Sequence, residues 1–495
     1  MTATDSMDAP MIGGALARID GPLKVTGLAR YTVDHHFPGM LYAVPVTATI
    51  AAGTLRSLDT ATARAMPGVQ AVFTHENIGP LYRVAKASGA SIDESRPPLS
   101  DTEIRYWGQY IALVVAASLE VATAAAAAVR ATYDTRQPDV SMRLAPDEEP
   151  EIDSERGDAA AAFAQGEVTL DQTYTTPPET HNPIELHASV ALFDGTGFTL
   201  YETTQAVMNH RAVMAQMLGV APENVRVIMR YLGSGFGGKL WPWTHCVLAA
   251  AAARHLRRPI KLEVSRRMMF QTVGHRANTQ QRMRLSATRA GRLTSLQHDY
   301  LYQASRLDRH KENCGEATPY LYSTPNLRVT AGFARRDIAP STSMRGPGAV
   351  PGMFALESAM NEMAWQLKLD PLALRLLNEP QIDESLGVPF STRHLKECFA
   401  QGAERFGWHR RTREVASMRR DGDILGWGMA AASWMAKRVP ATVSVSFRHD
   451  GTVRVASATQ DIGTGTYTVL AQMVADVIGV PLNRIEVALG DTALP

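Results

Sequence analysis

The chain contains one pattern twice, and that duplication limits the folds open to it more than any other feature. The first copy runs from Ala188 to Gln205, continues through Met214 to Leu218 and ends at Gly219–Val227. The second runs from Val443 to Gln460, continues through Asp461–Gly465 and a helical segment, and ends at Gly479–Val487. Each has an Asp-Gly pair, Asp194-Gly195 or Asp450-Gly451, between two extended runs, which predicts a hairpin. Each closes its second run on Thr-Gln and then predicts a helix and a third strand. In the second copy Val469, Leu470, Met473, Val474, Val477 and Ile478 recur at helical spacing, which predicts one apolar face turned to a sheet. Two related modules facing one extended ligand would put Gln205 and Gln460 at equivalent strand ends. A plain duplication with both glutamines in solvent is the other reading.

Beyond their third strands the copies diverge. After the first comes Arg230–Lys239, with glycines at Gly233, Gly235, Gly237 and Gly238. It lies between an extended run, Val225 to Met229, and an alanine-rich helix predicted from His245 to His255. A backbone of this kind exposes N–H groups and suits an anion such as a phosphate or a metal-oxo group, helped by the positive end of the following helix. A tight turn that lets strand and helix pack is the alternative. The loop is not a Walker motif, because Leu240 follows the lysine.

Between the copies, Ser341–Gly348 leads into a helix with Leu356, Ala359, Met360, Met363, Ala364 and Leu367 on one face. Asp370-Pro371 then caps a second helix. Arg345, flanked by Gly346 and Gly348, would present a fork of donors to a carboxylate, a phosphate or a developing oxyanion. A structural ion pair is the competing assignment.

A formal net charge of +1 over 495 residues argues against nucleic acid or an anionic membrane as the main partner, leaving small molecules and proteins. The length predicts about two to four domains. Cys246, Cys314 and Cys398 form no C-x-x-C pair, so no zinc or iron–sulfur site of the usual spacing is expected, and all three are expected to be reduced and buried. No export signal or bilayer-spanning apolar run is visible, and a cytoplasmic location is expected.

The predicted fold class is α+β. The expected divisions are an N-terminal extension (1–25), a compact α/β domain (26–135), an acidic linker (136–165), a first ligand-binding α+β domain (166–435) and the start of a second (436–495). The linker is inferred from Pro146–Glu151 and its surroundings. Because the second copy stops at Leu489–Pro495, where the first continues into a glycine loop, its sheet is expected to be incomplete.

Taken in order, these segments resemble the molybdopterin-binding large subunit of the xanthine dehydrogenase and aldehyde oxidase family, the molybdenum hydroxylases. Gly27–Asp34, Pro38–Leu41 and Gly108-Gln109 before Ile111–Val115 are similar to that family's hammerhead domain. His181–Ala188, Thr204-Gln205, Gly233–Lys239, Met344–Gly348 and Gln460–Gly465 follow in the family's order. The resemblance implies molybdenum held by a pterin dithiolene, with no protein ligand to that metal, and hydroxylation of an aldehyde or aromatic N-heterocycle with water as oxygen source. It implies that Gln205 and Gly235-Phe236-Gly237 contact the metal's oxo side and that Arg345 stabilises charge on the substrate oxygen. It implies that Gln460 with Gly463, Thr464 and Gly465 holds the pterin pyrophosphate. The expected cofactor is the cytosine dinucleotide form, and the expected partners are a [2Fe–2S] subunit and an FAD subunit.

Two departures from the family pattern matter. Leu240, beside Trp241 and Trp243, stands where purine-oxidising relatives have a glutamate, so Leu240 and Trp241 are expected to wall an apolar substrate pocket; simple packing is the alternative role for both tryptophans. The family's general base, a glutamate in a Gly-x-Gly-Glu-type segment, and its last pterin loop do not occur in these residues, so the polypeptide alone is expected to be inactive or nearly so. Glu185 and Glu316 are carboxylates within reach of the motif segments, but nothing in the sequence makes either a substitute base. A non-catalytic cofactor-binding shell, and an unrelated phosphate-binding α/β protein, are the alternatives.

Overall fold

The structure is a computed structural model that describes residues 11–85, 88–143, 145–307, 310–435 and 438–495. Helices and strands are mixed throughout, as the α+β reading requires. The first copy folds as a hairpin, Ala188–Phe193 and Phe198–Glu202, followed by the helix Val207–Leu218 and the strand Val225–Ile228, which lies parallel to Phe198–Glu202. The second copy repeats this with Ser444–Phe447, Val453–Ala456, Thr466–Ile478 and Ile485–Ala488. Leu200 sits opposite Val227 and Val455 opposite Val487, so the register is duplicated along with the topology.

The copies meet edge to edge. Met229 N–H donates to the Gly490 carbonyl at 2.7 Å, Thr492 N–H donates to Val227 O at 3.0 Å, and Arg226 pairs with Asp491 at 2.6 Å. Gly490 has φ +70°, and a Cβ there would stand 1.8 Å from Met229 O, so the approach requires glycine.

The helix of the second copy turns a different face inward from the one its sequence predicts. Val469, Met473 and Val477 are exposed, whereas Ala471 and Ala475 are buried against Val453, Val455 and Ile485, with Val474 and Ile478 partly covered. The small alanines let helix and sheet approach closely. A pattern that weighs only apolarity picks the larger side chains instead.

Sheet pairing crosses from the residues before 136 to those after it. Strand Leu41–Thr47 runs parallel to Ile260–Glu263, pairing Leu41 with Ile260. The sheet therefore has seven strands: Val225–Ile228, Phe198–Glu202, Ala188–Phe193, Ile260–Glu263, Leu41–Thr47, Tyr110–Ala116 and Val69–Phe73. Part of the predicted linker is also sheet. Glu151–Arg156 pairs antiparallel with Leu327–Arg336 at the edge of a five-stranded sheet, and the helix Ala159–Ala164 packs behind it. Acidic composition read as linker because this edge strand keeps its charged side chains in solvent.

The helix Ala349–Leu367 buries Leu356, Ala359, Met360, Met363 and Ala364 as its spacing predicts. Asp370 caps the helix Pro371–Leu377 by accepting from Leu372 N–H at 2.8 Å. Cys246 and Cys314 are buried free thiols, but Cys398 is exposed, against expectation; it lies on the helix Leu395–Phe406, which buries only Phe399. No helix among the described residues is long and apolar enough to cross a membrane.

One core group makes stability pH-dependent. His298 is fully buried between Thr318 Oγ1 (2.8 Å) and Gln281 Oε1 (3.0 Å), and burial pushes its pKa down to about 4. The unfolded chain takes up this proton near pH 6.5 and the fold does not. The contribution is therefore complete above about pH 6.5 and is lost as pH falls towards 4, at up to about 1.4 kcal/mol per pH unit. Urea midpoints should fall between neutral and mildly acidic pH, with a shallower slope in His298→Gln. Identical slopes would mean that His298 is charged in the fold.

Candidate functional site

The glycine segment crosses between the two copies as an open loop. It does not begin the next helix, as the sequence suggested: Thr244–Leu256 starts five residues beyond Lys239, after Leu240–Trp243. The loop's donors therefore come from its own backbone. Ser234 (φ +71°) and Phe236 (φ +53°) adopt left-handed conformations that cost a non-glycine residue on the order of 1 kcal/mol or more. Phe236 is 41% exposed, so its strain is not offset by burial. The amides of Ser234, Gly235 and Phe236 donate to no group among the described residues.

Three contacts hold the strained loop. Gln205 Oε1 accepts from Gly237 N–H at 3.0 Å and Lys239 N–H at 3.3 Å, leaving its side-chain amide without a partner among the described residues. The carbonyl of Gly238 accepts from the Trp243 indole at 2.8 Å and lies 3.0 Å from His187 Nε2. Lys239 is buried, with Nζ 2.9 Å from both Glu185 Oε2 and Glu185 O; Glu185 Oε2 also accepts from Gly233 N–H at 2.8 Å. Burial pushes the Lys239 ammonium down from its ordinary value, and Glu185 opposes that shift. Glu185 is thus the lysine's counterion.

The Arg345 turn docks on this loop. Arg345 N–H donates to Phe236 O at 2.8 Å, and His181 Nε2 lies 2.8 Å from Ser343 O. Beneath the turn Arg276, 1% exposed, donates to the carbonyls of Met344, Arg345 and Gly346 at 3.2, 2.8 and 3.3 Å, while Glu179 and Glu312 balance its charge. The Arg345 side chain is exposed and donates to no group among the described residues. A cavity of about 460 Å³ opens beside it, lined by residues that include Ser343, Pro347, Glu316, Lys311 and Trp434.

Gln460 reaches the same place from the second copy. Its Oε1 accepts from Val207 N–H at 3.2 Å, two residues beyond Gln205. The adjoining Gly463–Gly465 loop is exposed at Gly463 and Thr464, but the Gly463 amide donates to Asp461 Oδ1 at 2.6 Å and the Gly465 amide does so at 3.4 Å. A carboxylate of the chain already sits in this nest, and Arg18 fastens it by pairing with Asp461 and donating to Gly463 O.

Gln205, Gly235, Phe236, Gly237, Arg345 and Gln460 therefore join one hydrogen-bonded assembly, with Gly463, Thr464 and Gly465 next to it. Leu240 and Trp241 are both half-buried and do not line the cavity beside the Arg345 turn. Trp434 stands at the cavity instead. Arg276, Lys239 and Arg18 were missed as supports, because no local spacing announces a partner more than fifty residues away.

Gly237 is the tightest point. With φ +101°, a Cβ would lie 2.1 Å from the Ser343 carbonyl, a backbone atom with nowhere to retreat. Gly237→Ala should separate the loop from the Arg345 turn and cost about 1–3 kcal/mol locally. Faster amide hydrogen exchange at Gly237 and Lys239 would report this, and unchanged exchange would contradict it.

Unpaired backbone donors, a glutamine amide and a guanidinium, held near one another by the contacts above, are suited to an anionic ligand. Family models agree. Residues 26–137 match the aldehyde oxidase and xanthine dehydrogenase a/b hammerhead domain, and 143–379 and 401–495 each match a molybdopterin cofactor-binding domain. The chain belongs to the xanthine dehydrogenase and aldehyde oxidase family of molybdenum hydroxylases, as a molybdopterin-binding large subunit. It is 37% identical over 494 residues to the aldehyde oxidoreductase molybdenum-binding subunit PaoC of Escherichia coli K12, covering 98% of this chain and 66% of that protein. It is 30% identical to the nicotinate dehydrogenase large molybdopterin subunit of Eubacterium barkeri over 77% of this chain and 92% of that one. The fold matches the aldehyde oxidoreductase of Desulfovibrio desulfuricans with TM-score 0.87 at 23% identity, over 99% of this chain and 58% of that one.

Proposed function

We propose that the chain holds a molybdenum–molybdopterin cofactor, as its cytosine dinucleotide, between the two copies and uses it to hydroxylate an aldehyde or aromatic N-heterocycle with water as oxygen source. When bound, the cofactor supplies the two-electron redox chemistry. The donor set fits such a group: it offers N–H donors and a guanidinium, and needs no side chain to ligate the metal. The chain of contacts, hydrogen bonds joined by short stretches of backbone, from Gln460 through the Val207 amide, Gln205 and the glycine loop to Arg345 is the observation that carries this reading.

In this scheme Gln205 is oriented by Gly237 and Lys239 so that its free amide faces the cofactor, and the amides of Ser234 to Phe236 supply further donors. Arg345, held by Arg276 through its own backbone, meets a substrate oxygen arriving from the cavity and stabilises charge developing there. Gln460 and the exposed Thr464 would hold the cofactor's phosphate end, with Asp461 giving up the glycine amides. Electrons pass to a [2Fe–2S] subunit and an FAD subunit. Glu185 is committed to Lys239, so the general base is not Glu185, and the polypeptide of these residues alone should turn over little until a carboxylate is supplied.

The test is to express the chain with cofactor-maturation proteins, measure molybdenum, and assay CMP released by acid. One of each per chain is expected. Molybdenum with CMP but no turnover in a partner-containing complex would favour the non-catalytic shell, and neither molybdenum nor CMP would refute the cofactor assignment.

A further inference from the structure

Directly behind the glycine loop lies a second group of reactive side chains. Glu202 ends its strand, His210 projects from the helix Val207–Leu218, and His245 and Cys246 come from the first turn of Thr244–Leu256. They are 0%, 1%, 1% and 3% exposed. A carboxylate oxygen of Glu202, a ring nitrogen of His245 and Sγ of Cys246 all lie within 4.8 Å of one another.

Hydrogen bonds account for only part of the cluster: the Cys246 thiol reaches His245 Nε2 and Glu202. Ser189 donates to Glu202 Oε1, but Glu202 Oε2, both ring nitrogens of His210 and Nδ1 of His245 have no hydrogen-bond partner. So many orphaned polar atoms at one buried point call for an explanation, since such groups are rare and costly. The spacings offer one. His245 Nε2 and Cys246 Sγ are 3.4 Å apart, and His210 Nε2 and Glu202 Oε2 are 3.7 Å apart, too long for a good N–H···O bond. Tetrahedral zinc, with bonds of about 2.0–2.3 Å, separates its ligands by roughly 3.3–3.6 Å.

We propose that Glu202, His245 and Cys246 form a structural zinc site, with His210 beside Glu202 as the nearest residue for the fourth position. Thiolate, carboxylate and imidazole are a zinc donor set, and the burial of all four side chains keeps an ion there away from substrate. Binding replaces the Cys246 S–H bond by an S–Zn bond and releases that proton to solvent; no electron is transferred. The ion would fasten the strand end three residues before Gln205 to the helix that follows the loop. His187, whose ring lies 5.9 Å from that of His245 and 3.0 Å from Gly238 O, would pass this rigidity to the loop.

The test is zinc content after dialysis against metal-free buffer, in the wild-type chain and in Cys246→Ser and Glu202→Gln. One zinc per chain is expected in the wild type irrespective of molybdenum content, and a loss in both variants. Cobalt(II) added to stripped wild-type protein should give a thiolate-to-metal absorption band that Cys246→Ser lacks. If the variants fail to fold, the wild-type cobalt and zinc titrations decide. Failure of the stripped wild type to take up either ion, or full zinc retention by a folded Cys246→Ser, would overturn the site and leave the cofactor reading untouched.

Discussion

Arg345→Ala should lower the turnover number of the cofactor-loaded complex by two to three orders of magnitude, equivalent to about 3–4 kcal/mol of transition-state stabilisation. The expectation rests on geometry. The side chain is exposed and without a protein partner, while its main chain is fixed by Phe236 on one side and Arg276 on the other. Losing the guanidinium should therefore leave the turn, and with it the molybdenum content, in place. Arg345→Lys should recover only part of the rate, because an ammonium keeps the charge but not the fork of donors. Steady-state kinetics on an aldehyde substrate, normalised to bound molybdenum, makes the comparison. An unchanged turnover number would remove Arg345 from the chemistry.

Lys239→Met carries the second large effect, this time on stability. Its ammonium has no solvent contact, and Glu185, its counterion, already has Oε1 unpartnered and buried. Removing the lysine strands a carboxylate in the interior, which costs about 3–5 kcal/mol when one member of a buried pair is deleted. The double replacement Lys239→Met/Glu185→Leu should regain most of that loss, although Gly233 N–H would then lack its acceptor. Urea denaturation of the four-member cycle measures the coupling. Additive losses would show that the two charges do not depend on one another.

The parts of the fold written into short segments were legible in the sequence. The duplicated hairpin, helix and strand announce themselves because turn chemistry and periodicity are local, and both copies adopt the predicted order. The motif residues were legible too, and the assembly joining Gln205, Phe236, Arg345 and Gln460 is the convergence their spacing could only suggest. What escaped was non-local. The pairing of Leu41 with Ile260 joins regions that composition separates, and nothing near Arg276 says that it will carry three carbonyls of a turn almost seventy residues on. The second-copy helix misled through size, since close packing selected alanines over valines.

The clasp of Arg18 on the Gly463 loop also fixes an order of events during synthesis. Met11 and Gly14 accept from Gln472, Ile19 N–H donates to Thr468, and Arg18 reaches across 445 residues to Gly463 O. At typical translation rates of 5–20 residues per second, the leading segment waits roughly 20 to 90 s before its docking site leaves the ribosome. Until then the segment around Arg18 has no partner in the second copy, so this contact closes late in synthesis.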